Sequence, residues 1–180
     1  MKFEAYGPYP LPRSARGGVS TVKDDYGRFW DVVEECVEDL PDAVGCYVFG
    51  VVSGGGMLPW YVGMAERQAF WQECCEHHKL SKYNEAMDFY RRGRPVLFLI
   101  AGMTEGGQFV RPSAAKKGRP AIRKLEELLM GMALQRNAEL VNIKGLAWTR
   151  FLSFPGIIQP KPGRASDDLA EFQGMMGVDR

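Results

Sequence analysis

The chain has 180 residues, a net charge of +1, 46% hydrophobic and 25% charged residues. These are the values of one ordinary globular domain with short extensions, and they exclude a disordered or collagen-like chain. No apolar run approaches the ~18–20 residues that span a bilayer, and the start, Met1 to Tyr6, lacks the apolar segment of a secretory signal, so a cytoplasmic protein with no membrane partner is expected.

The small net charge conceals an asymmetry. Residues 79–164 hold 16 Lys and Arg against 6 Asp and Glu. Residues 1–78 hold 6 against 12, and residues 165–180 hold 1 against 4. A basic middle between acidic ends points to a polyanion-facing surface, unless folding mixes the charges. The four cysteines, Cys36, Cys46, Cys74 and Cys75, form no Cys-x-x-Cys pair, and no disulfide framework is expected.

In chain order, residues 1–22 carry Gly7, Pro8, Pro10, Pro12, Gly17 and Gly18 and read as an extended N-terminal arm. Asp24 and Asp25 suit the start of a helix running to about Leu40, within an N-terminal helical segment at 23–43. Phe29, Trp30, Val33, Cys36 and Val37 recur at helical spacing, and the opposite face is acidic. Two β-branched and aromatic runs, about 44–52 and 59–64, flank Gly54, Gly55 and Gly56, the pattern of a β-hairpin. Each run carries one tyrosine, Tyr47 and Tyr61. Side chains alternate faces along a strand, so register decides whether the two phenols meet.

A polar-aromatic stretch from Gln68 to Arg92 predicts one or two helices. The apolar run at 95–101 predicts a central strand covered on both faces. Residues 102–118 read as a loop rich in glycine and lysine. A second strong helix is predicted over about Pro120 to Gln135, with proline in its first turn and Ile122, Leu125, Leu129, Met132 and Ala133 as its core face. Residues 142–145 turn the chain, 146–180 form a C-terminal extension, and a last helix at about 166–176 starts on Ser166. The expected fold is α+β, with a small three-stranded sheet flanked by helices.

Gly45-Cys46-Tyr47 followed by Tyr61-Val62-Gly63 resembles the paired motif of the GIY-YIG nuclease superfamily, with cysteine and valine in the two isoleucine places. The later Leu125-Glu126-Glu127-Leu128-Leu129 and Leu140-Val141-Asn142 resemble that family's glutamate helix and asparagine turn, and the likeness covers roughly Val44 to Asn142, inside a domain at 44–145. The resemblance implies a divalent-metal-dependent endonuclease hydrolysing phosphodiester bonds in nucleic acid, here DNA. It implies magnesium or manganese held by the helix glutamate, a tyrosine of the paired motif that helps activate water, a basic residue on the phosphate, and Asn142 bracing the site. A helical wheel sets Glu126 on the rim of the core face and turns Glu127 to solvent, so Glu126 is the expected metal ligand. The family's arginine on the helix after the second triplet has no counterpart at its usual place. Arg67 comes about a turn too early, and the next candidates are His78, Lys79, Lys82 and the polar aromatic Tyr83. Lysine does not grip phosphate bidentately as arginine does.

The expected catalytic set is therefore Tyr47, Tyr61, Glu126, Lys79 and His78, and Arg67, Lys82, Tyr83, Lys116, Lys117, Arg119, Arg123 and Asn142 are expected to bind substrate. Two basic runs, Lys116-Lys117-Gly118-Arg119 with Arg123 and Lys124, and Arg91-Arg92-Gly93-Arg94, are candidates for phosphate contact and salt-sensitive affinity. Cys74-Cys75-Glu76-His77-His78 has some zinc-ligand character, but the other cysteines are single and distant in sequence. Trp60, Trp71 and Trp148 are either stacking platforms for bases or core residues. The competing expectation is a non-catalytic module that keeps the fold and binds nucleic acid or protein. A third is a metal-free interaction protein that meets its partner through the acidic first helix.

Overall fold

The computed structural model describes residues 1–113, 119–141, 163–164 and 166–176. Strand β1 (Lys2–Pro10) is followed by helix α1 (Lys23–Cys36), then by the hairpin strands β2 (Gly45–Ser53) and β3 (Gly56–Ala65). The short helix α2 (Phe70–Glu73) and helix α3 (His77–Phe89) lead into β4 (Arg94–Met103). Helix α4 (Pro120–Arg136) and helix α5 (Asp167–Met176) complete the described elements. Among the described residues no helix is long and apolar enough to cross a membrane.

The fold is α+β, and the sheet has four strands in the order β1-β4-β2-β3, each pair antiparallel. This corrects the expectation of three strands. The extended N-terminal segment is itself a strand, paired on β4 from Lys2↔Met103 to Pro10↔Val96. Its prolines fit there because an edge strand donates only half of its backbone groups to the ladder. The ladder shifts register between Tyr6 and Tyr9, where Gly7 and Pro8 stand.

Helices cover both faces of the sheet. On one face Tyr47, Phe49, Val51, Leu97, Leu99 and Ala101 pack with the buried residues of α1 and α3. On the other, Val44, Cys46 and Val62 pack against Ile122, Met130 and Ala133 of α4. The predicted core face of α4 holds at Ile122 and Ala133, and Leu125 and Leu129 are partly buried. Met130, not Met132, is the buried methionine; Met132 is 54% exposed.

The outer strand β3 carries a bulge. Phe49 pairs with Tyr61 and Gly50 with Pro59, which leaves Trp60 as the extra residue. The α4 end of the chain covers this irregularity. Asn137 Nδ2 donates to the Pro59 carbonyl at 2.9 Å, and the Val141 amide donates to the Trp60 carbonyl at 2.9 Å.

Candidate active site at the outer edge of the sheet

The site begins with the register of the hairpin. Tyr47 lies opposite Gly63, and Tyr61 lies opposite Phe49, so Tyr47 and Tyr61 are diagonal neighbours on one face. Their rings are 6.1 Å apart and 18° from parallel. Tyr47 is 1% exposed, whereas Tyr61 is partly open to solvent. Burial pushes the Tyr47 phenol well above the usual tyrosine range, and the neighbouring Tyr83, Cys74, Tyr61 and Glu73 add to it. Burial also raises Tyr61, and a side-chain hydrogen bond with Tyr47 opposes that rise. Both phenols are therefore neutral at physiological pH, and Tyr61 is the more exposed residue of the two.

The two glycines of the paired motif have separate steric reasons. A Cβ on Gly63 would lie 2.5 Å from Oη of Tyr47. A Cβ on Gly45 would collide with the Ile100 carbonyl of β4. Cys46, which stands where the family motif has isoleucine, points to the other face, and its buried thiol donates to the Ile122 carbonyl of α4 at 3.3 Å.

Lys79 enters from α3. Its chain is buried, and its ammonium lies 5.7 Å from the centroid of the Tyr47 ring, in a cation–π arrangement. The ammonium is ion-paired to Glu73, contacts Glu76 at 3.3 Å and donates to the Glu73 carbonyl at 2.8 Å. Lys79 and Glu73 are six apart, which is no helical spacing. They meet across the break between α2 and α3, at residues 74–76.

Glu126 enters from α4. It is half-buried, while Glu127 is exposed and paired with Lys124 at 2.7 Å. No such ion pair to Glu126 forms among the described residues. Burial raises the Glu126 carboxyl above its usual range, Glu127, Glu66 and Glu73 raise it further, and Lys79 pulls the other way. Glu126 in turn raises Tyr61. The carboxylate thus lies within electrostatic reach of Tyr61, Lys79, Glu66 and Glu73.

Glu66, just past the end of β3, fixes where α4 starts. Its carboxylate accepts from the Arg119 backbone amide and from the Arg123 guanidinium at 3.0 and 3.2 Å. The Glu66 side chain is only 7% exposed. Arg119 also donates to the Glu66 carbonyl at 3.3 Å and to the Arg111 carbonyl at 2.6 Å.

Of the expected site residues, Tyr47, Tyr61 and Lys79 come together on the α3 face, and Glu126, on α4 at the other face, is linked to Tyr61 and Lys79 by electrostatics alone. His78 is on the solvent side of α3, 3.6 Å from Glu76. Lys82 is paired with Glu85 at 2.9 Å, also on the outer side. Tyr83 is fully buried, stacks on Phe49 at 4.3 Å, and donates to the Cys74 carbonyl at 3.0 Å, so it is a core residue with its hydroxyl occupied. Arg67 is exposed beyond β3, and Arg119 and Arg123 serve Glu66. Lys116, Lys117 and Asn142 lie outside the described residues. In the Cys74–His78 run, Cys74 is buried and both histidines are exposed, so the cysteines and histidines part company. Sequence reading missed Glu66 and Glu73. The only signal for either was an unexplained acid beside the motif or in a predominantly aromatic helix.

Among the described residues no group of three or more His, Cys, Asp or Glu is set to hold a metal ion. Glu126 does fit the way magnesium is ordinarily held, by one or two carboxylates with water and substrate oxygens completing the shell. Its carboxylate is half-buried, and among the described residues no ion pair to it forms. Compared with protein-family models, with curated proteins and with solved structures, the chain matches none.

Proposed function

We propose that this chain is a GIY-YIG-like, divalent-metal-dependent endonuclease that hydrolyses phosphodiester bonds in DNA, in the cytoplasm. The observation that carries the reading is the Tyr47–Tyr61 pair with the Lys79 ammonium 5.7 Å from the Tyr47 ring, to which the half-buried Glu126 carboxylate of α4 adds an electrostatic influence on Tyr61. A phosphodiester hydrolase needs a carboxylate for a magnesium or manganese ion, a group that orients water, and positive charge near the transferring phosphorus. Glu126 would hold the ion, which when bound would supply polarisation of a phosphoryl oxygen. Tyr61, the more exposed of the two tyrosines, orients the attacking water through its hydroxyl. Tyr47, neutral and buried, fixes Tyr61 by hydrogen bond. Lys79 supplies the cation that the family takes from arginine. The wild type is expected to nick supercoiled or branched DNA with magnesium or manganese, and Glu126→Ala to lose that activity. Binding without cutting under either metal sinks the proposal.

One observation favours the non-catalytic alternative. The Lys79 ammonium is occupied by Glu73 and Glu76, so it is committed to the fold before any phosphate arrives. A module that binds DNA through its basic surface and never cleaves it needs no free cation beside the tyrosines, and that pairing fits it directly. The cleavage assay separates the two.

A further inference from the structure

The β3 bulge turns Trp60 toward α3, next to Tyr61 in the chain. Trp60 is buried, and Phe89, the last residue of α3, stacks on it with ring centroids 5.5 Å apart and planes at 16°. Tyr90 meets Trp60 edge-on at 5.5 Å. Phe89 is nevertheless 68% exposed, so a large apolar ring is held in a fixed plane at the surface.

Beside it lies a cleft of about 430 Å³ lined by Ser53, Gly54, Asp88, Phe89, Arg91 and Arg92, among others. Arg91, Arg92 and Arg94 are all exposed, against the single acid Asp88 in the lining. The turn that carries the arginines is tied down. Arg13 Nη2 donates to the Arg91 carbonyl at 2.7 Å, and the Gly93 amide donates to the Tyr90 carbonyl at 2.7 Å. Gly93 is packed so closely on Val51 of β2 that a Cβ there would collide with that side chain. The cleft is thus a preformed surface, with one rigid aromatic face and two cations.

We infer that this cleft binds an unpaired base of a DNA single strand, stacked on Phe89, with the neighbouring phosphates taken by Arg91 and Arg92. Stacking on an aromatic ring tolerates any base because every base has a π-face, and cations beside it follow the backbone. The same strand of the protein connects this cleft to the proposed active site. Along β2, Tyr47 and Ser53 are about 20 Å apart at the usual rise per residue, a span of several nucleotides. The substrate of the proposed nuclease would then be DNA with an unpaired segment beside the cut, rather than uninterrupted duplex. The choice of ligand rests on the nucleic-acid reading above.

The test uses full-length protein without added metal, so cleavage plays no part. A short single-stranded DNA carrying 2-aminopurine is titrated with wild type, Phe89→Ala and the double variant Arg91→Ala/Arg92→Ala, each checked for an unchanged circular dichroism spectrum. Quenching of the 2-aminopurine by the wild type is expected, with affinity about tenfold lower and quenching lost in Phe89→Ala. The arginine double variant should bind more weakly, with a salt slope about 1.4 shallower for two lost phosphate contacts. Equal binding by wild type and Phe89→Ala overturns the inference, as does no binding of single strands by the wild type at low salt. Cleavage of duplex plasmid by a Phe89→Ala protein with unchanged single-strand binding would leave the nuclease reading standing and remove this one. Phe89-dependent binding without cleavage in any metal would do the reverse.

Discussion

Tyr47 lies directly over Gly63. The two are partners across the hairpin, and the space a side chain would fill at Gly63 is already taken by the Tyr47 hydroxyl, 2.5 Å from where a Cβ would sit. The glycine and the tyrosine of the paired motif are thus one steric unit. Gly63→Ala is expected to lower stability by about 1–3 kcal/mol, since overpacking forces off-rotamer side chains or backbone shifts. Chemical denaturation of the single variant and of the same change in a Tyr47→Ala background checks this. The second cost should be clearly smaller than the first, because removing the ring removes the collision.

Glu126 gives a prediction about pH. Burial raises its carboxyl in the folded protein above the unfolded value. The folded state therefore binds more protons than the unfolded state in the interval between the two, and stability falls as pH rises through it. The cost is fully present above the folded pKa and absent below the unfolded one. Glu126→Gln is expected to be more stable than wild type at neutral pH, with the difference closing on acidification below the usual carboxylate range. Melting temperatures of both proteins across pH check this. A divalent ion held by Glu126 should raise the wild-type melting temperature at neutral pH and leave Glu126→Gln unmoved.

Lys79 separates scaffold from chemistry. Removing its ammonium leaves the Glu73 carboxylate without its partner in a partly buried place. Glu73 and Glu76 keep some contact with solvent, so the cost of Lys79→Met is expected near 1–2 kcal/mol rather than the larger loss of a fully buried pair. Glu73→Gln/Lys79→Met should recover part of it. Cleavage measured well below the melting temperature should fall in Lys79→Met and not return in the double variant if the cation also serves the phosphate.

The tyrosines should differ in kind. Tyr61→Phe is expected to lower cleavage by about 100-fold or more, in the range that loss of a water-orienting general acid–base group costs, and to cost about 1–3 kcal/mol of stability because the buried Tyr47 hydroxyl loses its hydrogen-bond partner. Tyr47→Phe keeps the ring over Gly63 and should cost about 1 kcal/mol or less. It also removes the hydrogen bond that opposes the rise of Tyr61, so the Tyr61 phenol should titrate at higher pH in ultraviolet titration. Equal loss of cleavage in both variants with no shift of Tyr61 would remove the division of labour between them.

The hairpin, the tyrosines and the rim position of Glu126 were legible because each depends on local rules: glycine between β-branched runs, alternation along a strand, and 100° per residue on a helix. What was not legible depends on tertiary contact. The N-terminal strand was hidden because Gly7, Pro8 and Pro10 have loop chemistry, and only an open partner edge on β4 makes them a strand. Met130 and Met132 both fit helical spacing, and packing of α4 on Val62 of β3 selects the first. Glu73 became part of the site only through the break before α3, which no periodicity announces. Glu66 was passed over because a solvated acid after a strand is ordinary, and its arginines come from a helix more than fifty residues later.

The capped bulge has a consequence for association. β3 is the outer strand of the sheet, and an outer strand with free carbonyls and amides is a template on which another chain can add. Here the Pro59 and Trp60 carbonyls are already satisfied by Asn137 and Val141, and Pro59 has no amide to offer. That stretch of the rim is closed to strand addition, so copies of the protein cannot polymerise along it through the Pro59–Trp60 segment.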